Sequence, residues 1–219
     1  MTFGRSRVAG DSIAFAFRQD SIFAELKSPV GNELSKVGLM PFTQLDQAAV
    51  HRGDFEMIRK VEIERFTVIS SKPFDHVVAA VNAAVGHPDM AEFGKSTHEA
   101  RSFADLKSAV EKGLSKAGLM VFMQLDQGAV VQKETGKDKP RIIRLVIGNP
   151  LIMKEMAKHV PDAGSYAPVT VLVDERPDGV HLSYDRMASF LATYENPDAL
   201  RVAEDLDNKV ETLLREAAA

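Results

Sequence analysis

Four polar residues stand where loop-side chemistry is built. Asp126 and Gln127 end one apolar run, Asn149 ends the next, and Tyr184 lies in the last. A carboxylate, two amides and a phenol suit ligand contact by hydrogen bonding. With Asp126 as general base they also suit an enzyme of the hydrolase or isomerase type. The same residue types have a purely structural use, since Asp closes turns and Asn caps helices. Asp126 closes one strand and Asn149 closes the next, so both are expected at one end of a sheet, where loops make pockets.

A second set is Met153, Met156 and His159, spaced i, i+3 and i+6 in one helical run. Thioether and imidazole together suit Cu(I) or a haem axial position. Methionines at helical spacing also serve as core filler, and i to i+6 spans well over one turn. Six histidines are scattered at 51, 76, 87, 98, 159 and 181, with no His-Glu-x-x-His spacing. The segment "GKSTHEA" begins like the end of a phosphate loop but lacks the spaced upstream glycine, and no Gly-x-Ser-x-Gly elbow occurs. There are no cysteines, which removes disulfides, thiolate catalysis and Cys-based metal sites. With no catalytic set assembled, the expectation is a non-catalytic ligand- or protein-binding module that needs no cofactor.

The bulk properties narrow the partners. The 219 residues carry a net charge of −4 without a block of Lys and Arg, which argues against nucleic acid and against an anionic membrane surface. No apolar run approaches the about 20 residues of a membrane span, and the N-terminus lacks the apolar core of a secretory signal. A cytoplasmic location is expected. At 45% hydrophobic residues the chain can bury a core of its own.

The elements that must position these residues include a duplication. Residues 23–50 match 103–130 at 19 of 28 positions when aligned at an offset of 80. The second copy has Ser102 as a helix cap with Asp105 three residues on. Phe103, Leu106, Val110, Leu114 and Ala117 follow at helical spacing, Gly118 ends the helix, and the strand "LMVFMQLD" comes next. The first copy has Pro29 and Gly31 inside the helix, where a proline costs about 3 kcal/mol, and Pro41 in the strand. Residues 1–60 are therefore expected to be a partial, degenerate duplicate plus linker, and 61–219 the complete domain.

Within 61–219, "ERFTVISS" predicts a strand and "KPFDHVVAAVNAAVG" a helix. "GHPDMAEFGKSTHEA" connects to the repeated helix and strand and has room for a helical turn. "KETGKDKP" reads as a charged turn leading to the strand "RIIRLVIG". Asn149 followed by Pro150 predicts a helix start, and so does Asn196 followed by Pro197. "APVTVLVDE", "RPDG" and "VHLSYD" predict a hairpin, and "RMASFLATYE" a short helix. The order implies a two-layer α+β domain, its mixed or antiparallel sheet of about four to six strands packed against helices.

The motifs "GLMVFMQLDQGAV", "RLVIGNPLIMKEMAKHVPDAGSYAPVTVLVDE" and "DGVHLSYDRMASFLA", in this order, resemble the family known as domain of unknown function 302. The resemblance spans roughly 61–195. It implies a small α+β domain that often self-associates, hence a homodimer, and it implies no established enzyme activity. The family pattern carries Asp-His where this chain has Asp126–Gln127, and Asp46–Gln47 in the first copy. Glutamine only hydrogen-bonds, so the substitution removes the group able to act as a base or metal ligand. The family's Gly-Asn-Pro is Gly148–Asn149–Pro150, and its Leu-Pro is Ala167–Pro168.

Overall fold

In the computed structural model, residues 58–219 are described. The first copy of the repeat, with Pro29, Gly31 and Pro41, lies outside the described residues.

The chain runs β1 (Arg65–Ser70), α1 (Phe74–Ala84), α2 (Met90–Glu99), α3 (Phe103–Gly113), β2 (Met120–Asp126), α4 (Gly128–Thr135) and β3 (Ile142–Gly148). It continues with α5 (Pro150–Ala157), α6 (Ala163–Tyr166), β4 (Val169–Arg176), β5 (Gly179–Asp185), α7 (Met187–Ala192) and α8 (Pro197–Ala218). The five strands form one sheet in the order β1-β5-β4-β3-β2, with every neighbouring pair antiparallel. This is the two-layer α+β class that the sequence implied.

Strand alternation sorts the side chains into two faces. Leu145, Ile147, Val171, Val173, Leu182 and Tyr184 point to the covered face and are buried. They pack on Val77 and Val81 of α1, Met156 of α5, and the stripe Ala203, Leu206, Val210 and Leu214 of α8. Each such side chain contributes about 1.5–3 kcal/mol by leaving water. The opposite face carries Ile69, Met123 and Leu125, which are 53%, 52% and 38% exposed. Helices thus cover one side of the sheet and leave much of the other open.

Local rules fix most helix ends. Ser102 Oγ accepts from Asp105 N at 3.1 Å, Asn149 Oδ1 from Leu151 N at 2.8 Å, and Asn196 Oδ1 from Ala199 N at 3.0 Å. These satisfy amides that the first turn leaves free. Gly86, after α1, sits so close to the end of α3 that a Cβ would lie 1.9 Å from Gly113 O. Its N–H donates to Leu119 O at 2.9 Å, tying α1 to the start of β2.

Two expectations need correction, and a third element is longer than the helical turn expected of it. The apolar spacing of Leu114 and Ala117 predicted that α3 runs to Gly118, but the helix stops at Gly113 and Leu114 is extended. The Ser115 hydroxyl accepts from Ala117 N at 3.2 Å, and Gly118 N donates to Ser115 O in a tight turn at φ 74°. That local turn outcompetes another turn of helix. The stretch from β2 to β3 is not a plain charged turn: α4 occupies Gly128–Thr135 and ends on left-handed Gly136. The connection at 86–100 holds the full helix α2, capped by Asp89, whose Oδ1 accepts from Ala91 N and Glu92 N at 2.9 Å.

Candidate functional site

The antiparallel pairing of β2 with β3 decides where the four sequence candidates go. Asp126 lies opposite Ile143, at the start of β3, whereas Met120 lies opposite Gly148, next to Asn149. Six residue steps at about 3.4 Å put Asp126 and Asn149 at opposite ends of the sheet, about 20 Å apart. The expectation that the two share one end is therefore overturned. It assumed parallel strand ends, and in an antiparallel pair successive strands finish on opposite edges.

Each of the two is engaged with backbone. Exposed Asp126 accepts from Ala129 N at 2.9 Å through Oδ1 and caps α4. Gln127 sits at the N-terminal boundary of that helix, exposed, with no side-chain cap bond. Asn149 caps α5 and donates from Nδ2 to Gly118 O at 2.9 Å, stitching α5 to the turn before β2. Together with Met153, Asn149 lines a small apolar cavity of about 130 Å³. We expect Asn149→Ala to lower stability by about 0.5–2 kcal/mol, the usual cost of a lost cap. Exposed Asp126→Asn should cost less, and chemical denaturation of both variants checks the ranking.

Tyr184 is 1% exposed, and its hydroxyl donates to Asp207 Oδ1 at 2.5 Å. Asp207, on α8, is fully buried and also accepts from Met187 N at 2.7 Å and Ala188 N at 3.1 Å. One carboxylate thereby caps α7 across the fold and pins the tyrosine. Burial pushes the Asp207 carboxyl above its ordinary range, partly opposed by these donors and by Arg186. Burial, and then the Asp207 charge, push the Tyr184 hydroxyl far up as well. The pair ties β5 and α8 to the start of α7 as a tertiary clamp. Its sequence signal was an aspartate inside an apolar stripe, four residues after Ala203 and three before Val210.

Met153, Met156 and His159 do not converge. Met156 is fully buried in the core and His159 is exposed beyond the end of α5. Among the described residues no group of three or more His, Cys, Asp or Glu is placed to hold a metal ion.

A pocket with convergent polar groups lies on the uncovered sheet face. It measures about 470 Å³, a size common for small-ligand sites. Leu172, Thr170 and Ser183 line it from β4 and β5, and Tyr166 and Phe190 from α6 and α7, with Arg65 and Arg144 adding positive charge. Tyr166 and Phe190 stack, with ring centroids 4.7 Å apart. Arg65 makes a two-pronged pair with Asp185, Nε–Oδ1 2.6 Å and Nη2–Oδ2 2.8 Å. Tyr184 borders this pocket while its hydroxyl is committed to Asp207. Sequence reasoning passed over Arg144; the signal was a single arginine inside the apolar run "RIIRLVIG", sharing a strand face with Ile142 and Val146.

An open antiparallel sheet backed by helices, with a pocket on its bare side, defines a two-layer α+β domain. The profile of the Domain of unknown function DUF302 matches residues 93–217, more than half of the chain, and the chain belongs to that family. The match begins within α2, so β1 and α1 precede it, and it reaches through α8, beyond the 195 at which the resemblance in sequence was placed. Among curated proteins none matches. The chain is similar in structure to the crystal structure of an uncharacterized conserved protein DUF302 from Bacillus stearothermophilus. Identity is 12% and the TM-score 0.50, covering 70% of this chain and 97% of that one, a likeness of fold. Among the described residues no helix is long and apolar enough to cross a membrane.

Proposed function

We propose that the domain is a non-catalytic binding module whose small-ligand site is the pocket on the uncovered sheet face. The observation that carries this is the convergence there of Arg144, Thr170 and Ser183 around Leu172, beside the Tyr166–Phe190 wall. Its lining holds acceptors, donors and apolar surface, but no nucleophile with a base and orienting partner in sequence. Asp126 as the general base of a hydrolase or isomerase draws less support, because its carboxylate is engaged with Ala129 N and Asn149 is remote from it. The fold unit proposed for this role is 61–219, with 1–60 an appended duplicate.

A metabolite panel read by thermal shift tests the proposal. Compounds that stabilise the protein should lose their effect in Thr170→Trp, whose ring fills the pocket from an open-face position. Stabilisation that survives in a folded Thr170→Trp protein would contradict the site.

Self-association is the second reading, favoured by Met123 and Leu125, both substantially exposed on edge strand β2, with half-buried Val146 beside them on β3. A second copy of the chain is the proposed occupant of that apolar strip, as a two-fold contact commonly buries such surface. Sedimentation at micromolar concentration should give a homodimer that Met123→Glu dissociates. A species of 24.0 kDa in the unmodified protein would end this reading.

A further inference from the structure

We infer that the ligand of the open-face pocket is a monocarboxylate with a flat apolar body, and that Arg144 reads its carboxylate. This deepens the small-ligand proposal and rests on it.

The cations around this face are not equivalent. Arg65 is held by Asp185 through two hydrogen bonds, and Arg176 is held by Asp174 through two more. Arg144 has no carboxylate within ion-pair distance among the described residues. Its side-chain contact is one bond from Nη2 to the Thr170 hydroxyl, 3.1 Å. A guanidinium offers a planar fork of N–H donors, and this contact leaves most of the fork free.

The surroundings of Arg144 strengthen whatever it binds. Its cross-strand neighbours are Leu125 on β2 and Leu172 on β4. Ile142 and Val146 flank it on the same face of β3. A half-buried cation among aliphatic side chains sees less water, so its attraction for an anion is screened less than at a fully wet surface. The planar fork matches a carboxylate edge with two parallel hydrogen bonds.

Charge and shape restrict the class further. The charged lining groups are Arg65, Arg144 and Asp185, which leaves one net positive charge for a ligand to neutralise. A monoanion balances it, whereas a dianion would leave one charge unmatched beside Asp185. The volume of about 470 Å³ exceeds what a bare inorganic anion fills. The stacked Tyr166 and Phe190 rings and the Leu172 side chain offer apolar wall and floor for a planar hydrocarbon body.

The test compares phenylacetate with its neutral isostere phenylacetamide by NMR titration of the whole chain at millimolar concentrations. Both the amide signals of Thr170 and Leu172 and the Nε–H signal of Arg144 are followed. Phenylacetate should shift all three and bind about tenfold more tightly than phenylacetamide, the ratio that one charge-assisted pair brings. Arg144→Gln should abolish that preference without changing the amide's affinity, and Arg144→Lys, which keeps the charge but loses the fork, should fall between. Equal affinities for acid and amide at these signals would overturn the carboxylate assignment while leaving the pocket as a ligand site. Absence of shifts with both compounds would also overturn it, and the pocket itself is then judged by the Thr170→Trp panel. The acid-to-amide comparison needs no variant, so a poorly folding substitution does not remove the test.

Discussion

Asp207→Ala should be the most damaging single polar substitution in the domain, lowering stability by about 3–5 kcal/mol. The carboxylate is fully buried and accepts from Tyr184, Met187 and Ala188. Alanine leaves a buried phenol and two amides at the start of α7 without an acceptor, and each orphaned group costs about 1–3 kcal/mol. It also leaves Arg186 without a carboxylate whose nearer oxygen lies 3.6 Å from its Nε. Asp207→Asn keeps one acceptor but turns an N–H₂ toward donors, so its loss should be smaller though still above 1 kcal/mol in order of magnitude, about one such orphan. Urea denaturation followed by circular dichroism measures both.

The same residue carries a pH dependence whose sign follows from its environment. Burial raises the folded-state pKa of Asp207 above the ordinary 3.8. The native carboxyl therefore keeps its proton at pH values where the unfolded chain has released it. Its contribution to stability is greatest below 3.8 and falls as pH rises through the folded-state value. Asp207→Asn removes that downward slope. A difference in stability between the two proteins that is flat across the acid range would contradict the assignment.

The second large effect is expected at Met156. It is fully buried between α5 and the sheet, and Met156→Ala should cost about 2–5 kcal/mol through lost transfer energy and a residual cavity. His159→Ala, on an exposed residue two positions past α5, should change stability by less than about 0.5 kcal/mol. A metal or haem held jointly by Met153, Met156 and His159 would instead make the histidine variant as costly as the methionine variant. Thermal unfolding of the two, with and without added copper, separates the cases.

The contrast between these residues shows what was legible in the chain. Ser102, Asn149 and Asn196 announced their helices because a cap is a local event, decided within four residues. The β4–β5 hairpin was legible for the same reason, since its turn and alternation are contiguous. Helix α4 was not, because the charged, Gly- and Pro-containing "KETGKDKP" reads as a turn and the cap, Asp126, lies at the end of the preceding strand. The site was harder still. Asp126 and Asn149 look adjacent when strands are imagined side by side, and only the antiparallel register sends them to opposite edges. Asp207 and Arg144 gain their meaning from partners on other elements, Tyr184 and Met187 for one, Leu125 and Leu172 for the other. A sequence shows each as a charge in an apolar run and says nothing of which face of the sheet is covered.

The central claim is that binding takes place on the uncovered sheet face. Amide chemical-shift mapping with any compound that stabilises the protein tests it most directly. The expected result is a cluster of shifted signals at Arg144, Thr170, Leu172 and Ser183, with the stretch after Asp126 unmoved. A cluster instead at Asp126 and Gln127, or around Asn149 and Met153, would contradict it.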